Sequence, residues 1–145
     1  MNFFKAAAIS TVFATTGLVF ASPVIAQAVE ASVSQEQLSS GTFIRKSKKL
    51  KGGWTVEQRG EKTVIVFDDN FVASRGPDLK IFLSPTSIKD VKGKTAVNGS
   101  INIGELKSTK GRQEYELPAG VNLSDYQSLL VHCEEFAVLW GGSDL

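Results

Sequence analysis

The sequence predicts an all-β fold: a single-domain antiparallel β-sandwich or partly closed barrel, jelly-roll-like in character. Three observations predict it. No long segment keeps a 3.6-residue apolar period, so helix is a minor component. Short runs rich in Val, Ile, Phe, Thr and Tyr are punctuated by Gly, Pro, Asn and Asp, which gives about nine strands. Three runs, "VIVF", "IFL" and "LLV", are apolar on both faces, which marks inner strands covered on both sides rather than strands that wet one face.

The first strand is expected in "GTFIRK", from Gly41. "GWTVEQR" and "KTVIVFD" are β-rich runs joined by Gly60-Glu61, a two-residue hairpin turn. "DDNF" reads as a polar turn, and "GPD" at Gly76–Asp78 punctuates before "LKIFLS", which Pro85 closes. "KDVKGKTAVNG" is loop-like. "SINIGEL" and "RQEYELP" alternate, the latter with Tyr115 and Leu117 on one face and Glu114 and Glu116 on the other. "LPAGVNLSDYQ" is a connection with room for one helical turn, and "SLLVHC" and "FAVLWG" end the chain as a pair.

The front of the chain belongs to export rather than to the fold. Residues 1–28 carry Lys5, an apolar stretch from Ala6 to Phe20, a helix-ending Pro23 and the small-x-small site Ala26-Gln27-Ala28. The apolar stretch is too short for a permanent span, so cleavage near Ala28 is expected, leaving a periplasmic or secreted chain without a transmembrane span. Residues 29–40 are polar and small, a flexible lead-in, and the domain proper is expected over 41–145. The mature chain holds 15 basic and 15 acidic residues, a balance that argues against a nucleic-acid binder. It must build its core without an internal disulfide, because it has one cysteine.

That cysteine, Cys133, follows the only histidine, His132. If the strand runs through both, their side chains point to opposite faces, and a cysteine–histidine nucleophile pair, which needs hydrogen-bond contact, is forbidden. Glu134 and Glu135 also place negative charge near the thiol, whereas a reactive thiolate wants positive surroundings. Cys133 is therefore either a buried small hydrophobe or a redox or ligand residue. His132 is a half-exposed or backbone-satisfied strand residue, and a weaker cofactor candidate. Metal sites are limited by counting. Blue copper needs two histidines, structural zinc needs four Cys or His ligands, and c-type haem needs Cys-x-x-Cys-His, so no metal site is expected. Non-covalent haem with one axial ligand from the chain is chemically allowed.

Other clusters have plainer readings. Five of the seven residues in "RKSKKLK", Arg45–Lys51, are cationic; they suit a solvated strand edge, or docking to an acidic partner or anionic surface. Glu114 and Glu116 share a face but fit a solvent face better than an acid/base pair. Asp68-Asp69-Asn70 lacks the ligand spacing of a calcium loop. Ser128 and His132 are too far apart along an extended strand for a hydrogen bond.

The ordered set "GTF", "LKGGW", "GPDLKIFLS", "KGRQEYELP" and "SLLVHCEEFAVLWG" resembles the DM-thirteen domain family, found in Skeletor-type proteins with DOMON domains and in small exported bacterial proteins. The resemblance covers Gly41 to Leu145. It implies a small extracytoplasmic β-domain with a proposed electron-transfer role centred on a cysteine, as a bare thiol or as the anchor of a prosthetic group such as haem. In this chain that position is Cys133. Asp78 and Trp140 are the other motif residues, with structural service expected: Gly76-Pro77 as a turn, Asp78 as a turn or hydrogen-bond partner, Trp140 as a core ring. Two functions follow. One is an accessory electron-transfer domain, not a stand-alone enzyme, serving a redox or envelope protein partner. The other is a non-catalytic envelope interaction module with a structural cysteine.

Overall fold

The structure is a computed structural model that describes residues 36–145; the predicted export signal and the first part of the lead-in lie outside the described residues. Among the described residues eleven strands follow in order: β1 (Glu36–Thr42), β2 (Ile44–Arg45), β3 (Leu50–Lys51), β4 (Gly53–Arg59), β5 (Lys62–Phe67), β6 (Val72–Ala73), β7 (Leu79–Ser84), β8 (Ile101–Glu105), β9 (Gln113–Glu116), β10 (Ser128–Cys133) and β11 (Val138–Asp144). Helix among the described residues is confined to two 3-10 turns, Gly93–Thr95 and Leu123–Asp125.

The strands form a four-stranded sheet, β1-β4-β5-β9, a five-stranded sheet, β2-β11-β10-β7-β8, and the small pair β3-β6. All pairings are antiparallel and none of the sheets closes into a barrel, so the fold is an all-β sandwich. The core lies between the two large sheets: Trp54, Val56, Ile65, Phe67 and Tyr115 from one meet Ile81, Leu83, Leu129, Val131 and Trp140 from the other. Phe43, Phe67, Phe71 and Tyr115 stack within it at centroid separations of 4.7–5.4 Å.

A second apolar layer explains the doubly apolar strands. The segment between β7 and β8 folds over the outer face of the five-stranded sheet, and its Ile88, Val91 and Ala96 cover Phe82, Leu130 and Leu139. Consequently every residue of β10 is buried. A covered inner strand needs no polar face, and β10 has the continuous apolar run that follows from this.

Several boundaries differ from the sequence expectation. β1 begins at Glu36, so the last five residues of the stretch read as a flexible lead-in, and the five before Gly41, are strand. Their polar sequence hides them because they form an edge held by backbone pairing to β4, Glu36 opposite Gln58 through Thr42 opposite Gly53. β11 begins at Val138, two residues later than "FAVLWG" suggests, and Phe136 lies in the preceding turn, 60 % exposed. β2, β3 and β6 are dipeptides, too short to leave a period in the sequence. The Gly60-Glu61 hairpin is as expected, with Gly60 at φ +63° and Arg59 opposite Lys62.

Candidate functional site

Cys133 is the last residue of β10, opposite Leu79 of β7 and Val138 of β11. It is 0 % exposed and belongs to the inter-sheet core with Leu129 and Val131. His132 lies on the other side of the same strand. Its ring meets Phe82 edge-on, 6.0 Å between centroids, in the outer apolar layer. The alternation of a regular strand thus separates the two side chains by the sheet itself.

The imidazole is 1 % exposed. Its Nε2–H donates to the Gly93 carbonyl at 3.4 Å, while Nδ1 is buried without a partner. A carbonyl only accepts, so Nε2 carries the proton and Nδ1 is a bare acceptor. Burial lowers the pKa of His132 below the usual histidine value, against smaller opposing effects of the Gly93 hydrogen bond and the Glu134 charge.

The motif residues surround the β10 terminus. The Glu134 N–H donates to the Asp78 carbonyl at 2.9 Å, which ties the end of β10 to the start of β7. Lys80 pairs with Glu134 and, at 3.3 Å, with Asp78. These bonds, to Glu134 first, raise the Lys80 pKa, and they offset the Glu134 charge beside the thiol, while Glu135 is exposed in the turn. Trp140 sits at a β-bulge: Val131 pairs with Gly141 and His132 with Leu139, which leaves Trp140 as the extra residue. Its indole N–H donates to the Ser74 carbonyl at 3.0 Å. Gly76 is needed because a Cβ there would stand 2.9 Å from Trp140 Cζ2 and 3.2 Å from Leu79 Cδ2. "GPD" and "LWG" are therefore two sides of one packing arrangement, linked through the Asp78 carbonyl to Glu134, the residue after the cysteine.

Haem does not fit at either candidate ligand. An axial sulfur or nitrogen must face an open slot, and both Cys133 and His132 are enclosed. The cleft beside Cys133, lined by Gly76–Leu79, Glu105, Leu106 and Thr109, has a volume of about 170 Å³ and the thiol does not line it. The groove next to His132, lined by Gly93 and Leu139, is larger, about 550 Å³, but the imidazole does not line it. Typical cofactor-sized clefts run to roughly 300–1,000 Å³.

The remaining candidates are engaged in structure. Glu114 accepts from Arg59 at 2.8 Å, and that guanidinium holds its carboxyl down at about 2, far from a general acid's range. Glu116 pairs with Lys62 at 3.0 Å. Asp68 Oδ2 accepts the Gly53 N–H at 2.7 Å. The Ser128 hydroxyl donates to the Thr86 carbonyl at 2.6 Å. Among the described residues no helix is long and apolar enough to cross a membrane. Sequence reasoning missed a groove formed by Lys46, Lys89, Lys92 and Lys94 around Phe136. Its signal was present as three lysines spaced through "KDVKGK", a stretch that reads simply as loop.

A family model described as "Electron transfer DM13" matches residues 42–144. Neither a curated protein nor a solved structure matches the chain. The match begins at the end of β1 and runs to the end of β11, taking in Asp78, Cys133 and Trp140. With its strands, its glycine–tryptophan packing and its sole thiol inside that span, the chain belongs to the DM13 electron-transfer domain family.

Proposed function

We propose that this chain is an exported accessory electron-transfer domain in which Cys133 carries the electron as a bare thiol. The observation that carries this reading is the family match over residues 42–144. The position of Cys133 supports the manner. A nucleophile must touch its substrate and a haem ligand needs a slot, whereas an electron crosses a thin layer of packed protein without either. Cys133 is 0 % exposed, yet the next residue opens the exposed turn Glu134–Phe136, so a redox protein docked on that turn would stand close to the sulfur. In each cycle the thiol gives one electron to a one-electron acceptor and its proton to solvent, leaving a thiyl radical that one electron from a one-electron donor and one proton return to the thiol. The leader at residues 1–28 supports delivery to the periplasm or the exterior.

The test uses the mature protein purified natively. It is expected to be colourless, to give no haem band with added haemin, and to reduce hexachloroiridate(IV), a one-electron oxidant strong enough to oxidise a thiol, while Cys133→Ala reduces about one equivalent less. Equal reduction by the variant, or none by either protein, overturns the reading.

One observation favours a second reading. At 0 % exposure among Leu129 and Val131, Cys133 packs as a small hydrophobe, as in a non-catalytic envelope binding module. A chain that reduces no acceptor and alkylates only when unfolded is that module.

A further inference from the structure

The groove missed in the sequence has a definite chemistry. Its volume is about 550 Å³, within the usual range for small-molecule sites. Val91, Phe136, Val138 and Leu139 give it an apolar lining, and Lys46, Lys89, Lys92 and Lys94 supply its charge. Among the described residues no carboxylate lines it. All four lysines are exposed, and among the described residues none of them is ion-paired.

The banks are held in place by the fold. On one side the Lys46 and Ser47 N–H groups donate to the Trp140 carbonyl at 2.9 and 3.2 Å, and the Ser47 hydroxyl donates to the Leu139 carbonyl. On the other, Ile88 and Val91 are buried in the outer apolar layer, and the Ile88 N–H donates to Asp144 Oδ1 at 2.8 Å. The turn between β10 and β11 holds Ala137 at φ +50°, a left-handed conformation unfavourable for a non-glycine residue. That strained residue follows Phe136, which remains 60 % exposed beside the lysines. Strain of this kind concentrates at ligand-binding and functional turns.

We propose that this groove binds a small amphipathic monoanion, an apolar chain or ring bearing a carboxylate. The apolar lining takes the body, and the lysines neutralise the head group. Charge complementarity selects an anion, and an open groove of about 550 Å³ with apolar residues between the lysines matches the size of a small amphipathic molecule. A flat anionic bilayer would also meet the exposed carboxylates of Asp90 and Glu135, which flank the groove in sequence but do not line it. The site is separate from Cys133, which faces the opposite side of β10, so its test stands apart from that of the electron-transfer reading.

His132 supplies the readout. It is the only histidine, it contacts the Gly93 carbonyl, and it pairs with Leu139 in register; Gly93 and Leu139 both line the groove. The mature protein is titrated with sodium decanoate below its micellar concentration, and the His132 ring resonances are followed by NMR. Saturable one-to-one shifts are expected, with decan-1-ol and the double variant Lys92→Gln/Lys94→Gln each at least about tenfold weaker. Phe136→Ser should weaken decanoate without unfolding the chain, as checked by its far-UV circular dichroism. The proposal is overturned by the absence of saturation, by decanol binding as well as decanoate, or by an unchanged affinity in the lysine variant. Binding seen only with anionic vesicles or polyglutamate overturns it as well, in favour of a membrane or an acidic protein.

Discussion

Replacing Cys133 by serine and by alanine asks the structure how dry the sulfur is. The residue is 0 % exposed, on the core side of a strand whose six residues are all buried. Serine keeps the shape but brings a hydroxyl into that core, and a hydroxyl left without a partner costs about 1–3 kcal/mol. Alanine removes one buried heavy atom and brings no polar group. Its cost should resemble that of an Ile→Val change, about 0.5–1.5 kcal/mol. The expected order of stability is therefore wild type, then alanine, then serine. Against a total stability of roughly 5–15 kcal/mol, either loss is readily measured. Urea unfolding followed by tryptophan fluorescence reads it as a fall in midpoint at constant slope. A serine variant within about 0.5 kcal/mol of wild type, with alanine the less stable of the two, would mean that the sulfur sits in a polar or wet site.

Three further outcomes follow from the same geometry. Gly76→Ala places a methyl 2.9 Å from the Trp140 ring and should cost about 1–3 kcal/mol by overpacking, with a change in near-UV circular dichroism; an unchanged urea midpoint would contradict it. Burial lowers the pKa of His132 in the folded state, so the unfolded chain binds the extra proton. The stability it contributes is complete above about pH 6.5 and is lost as pH falls below that value toward the folded pKa, with a limiting slope of about 1.4 kcal/mol per pH unit. His132→Phe should flatten the curve between pH 6.5 and 5, and an equal slope in the variant would refute the assignment. Arg59 holds Glu114 at about 2, so that carboxylate's contribution is present above its usual value near 4.5 and fades as pH drops toward 2. Because the pair is partly exposed, Arg59→Gln should lower the urea midpoint only slightly at neutral pH, with the difference shrinking in acid.

Much of the fold was legible because its signals are local. β4, β5 and β7 sit where runs of β-branched and aromatic residues end at Gly, Asp or Pro, and β10 has the bounds of "SLLVHC". The period of two placed Cys133 and His132 on opposite faces before any contact was known. What stayed hidden depends on distant partners. Glu36–Ser40 is strand only because β4 offers its edge. Trp140 becomes a bulge only through the register change between Val131 and His132. The lysine groove draws on the β2–β3 loop, the segment after β7 and the β10–β11 turn, which are distant in sequence and meet only in the folded chain. Gly76 reads as a turn glycine from its Pro77 neighbour; that it also makes room for Trp140 requires knowing which ring lies above it.

The sealing of Cys133 is tested most directly by thiol labelling kinetics on the native protein with a bulky disulfide reagent such as dithionitrobenzoate. The structure predicts labelling no faster than global unfolding, and one thiol per chain released at once in denaturant. Stoichiometric reaction of the native chain within seconds would place the sulfur in solvent and contradict the packing on which the site is built.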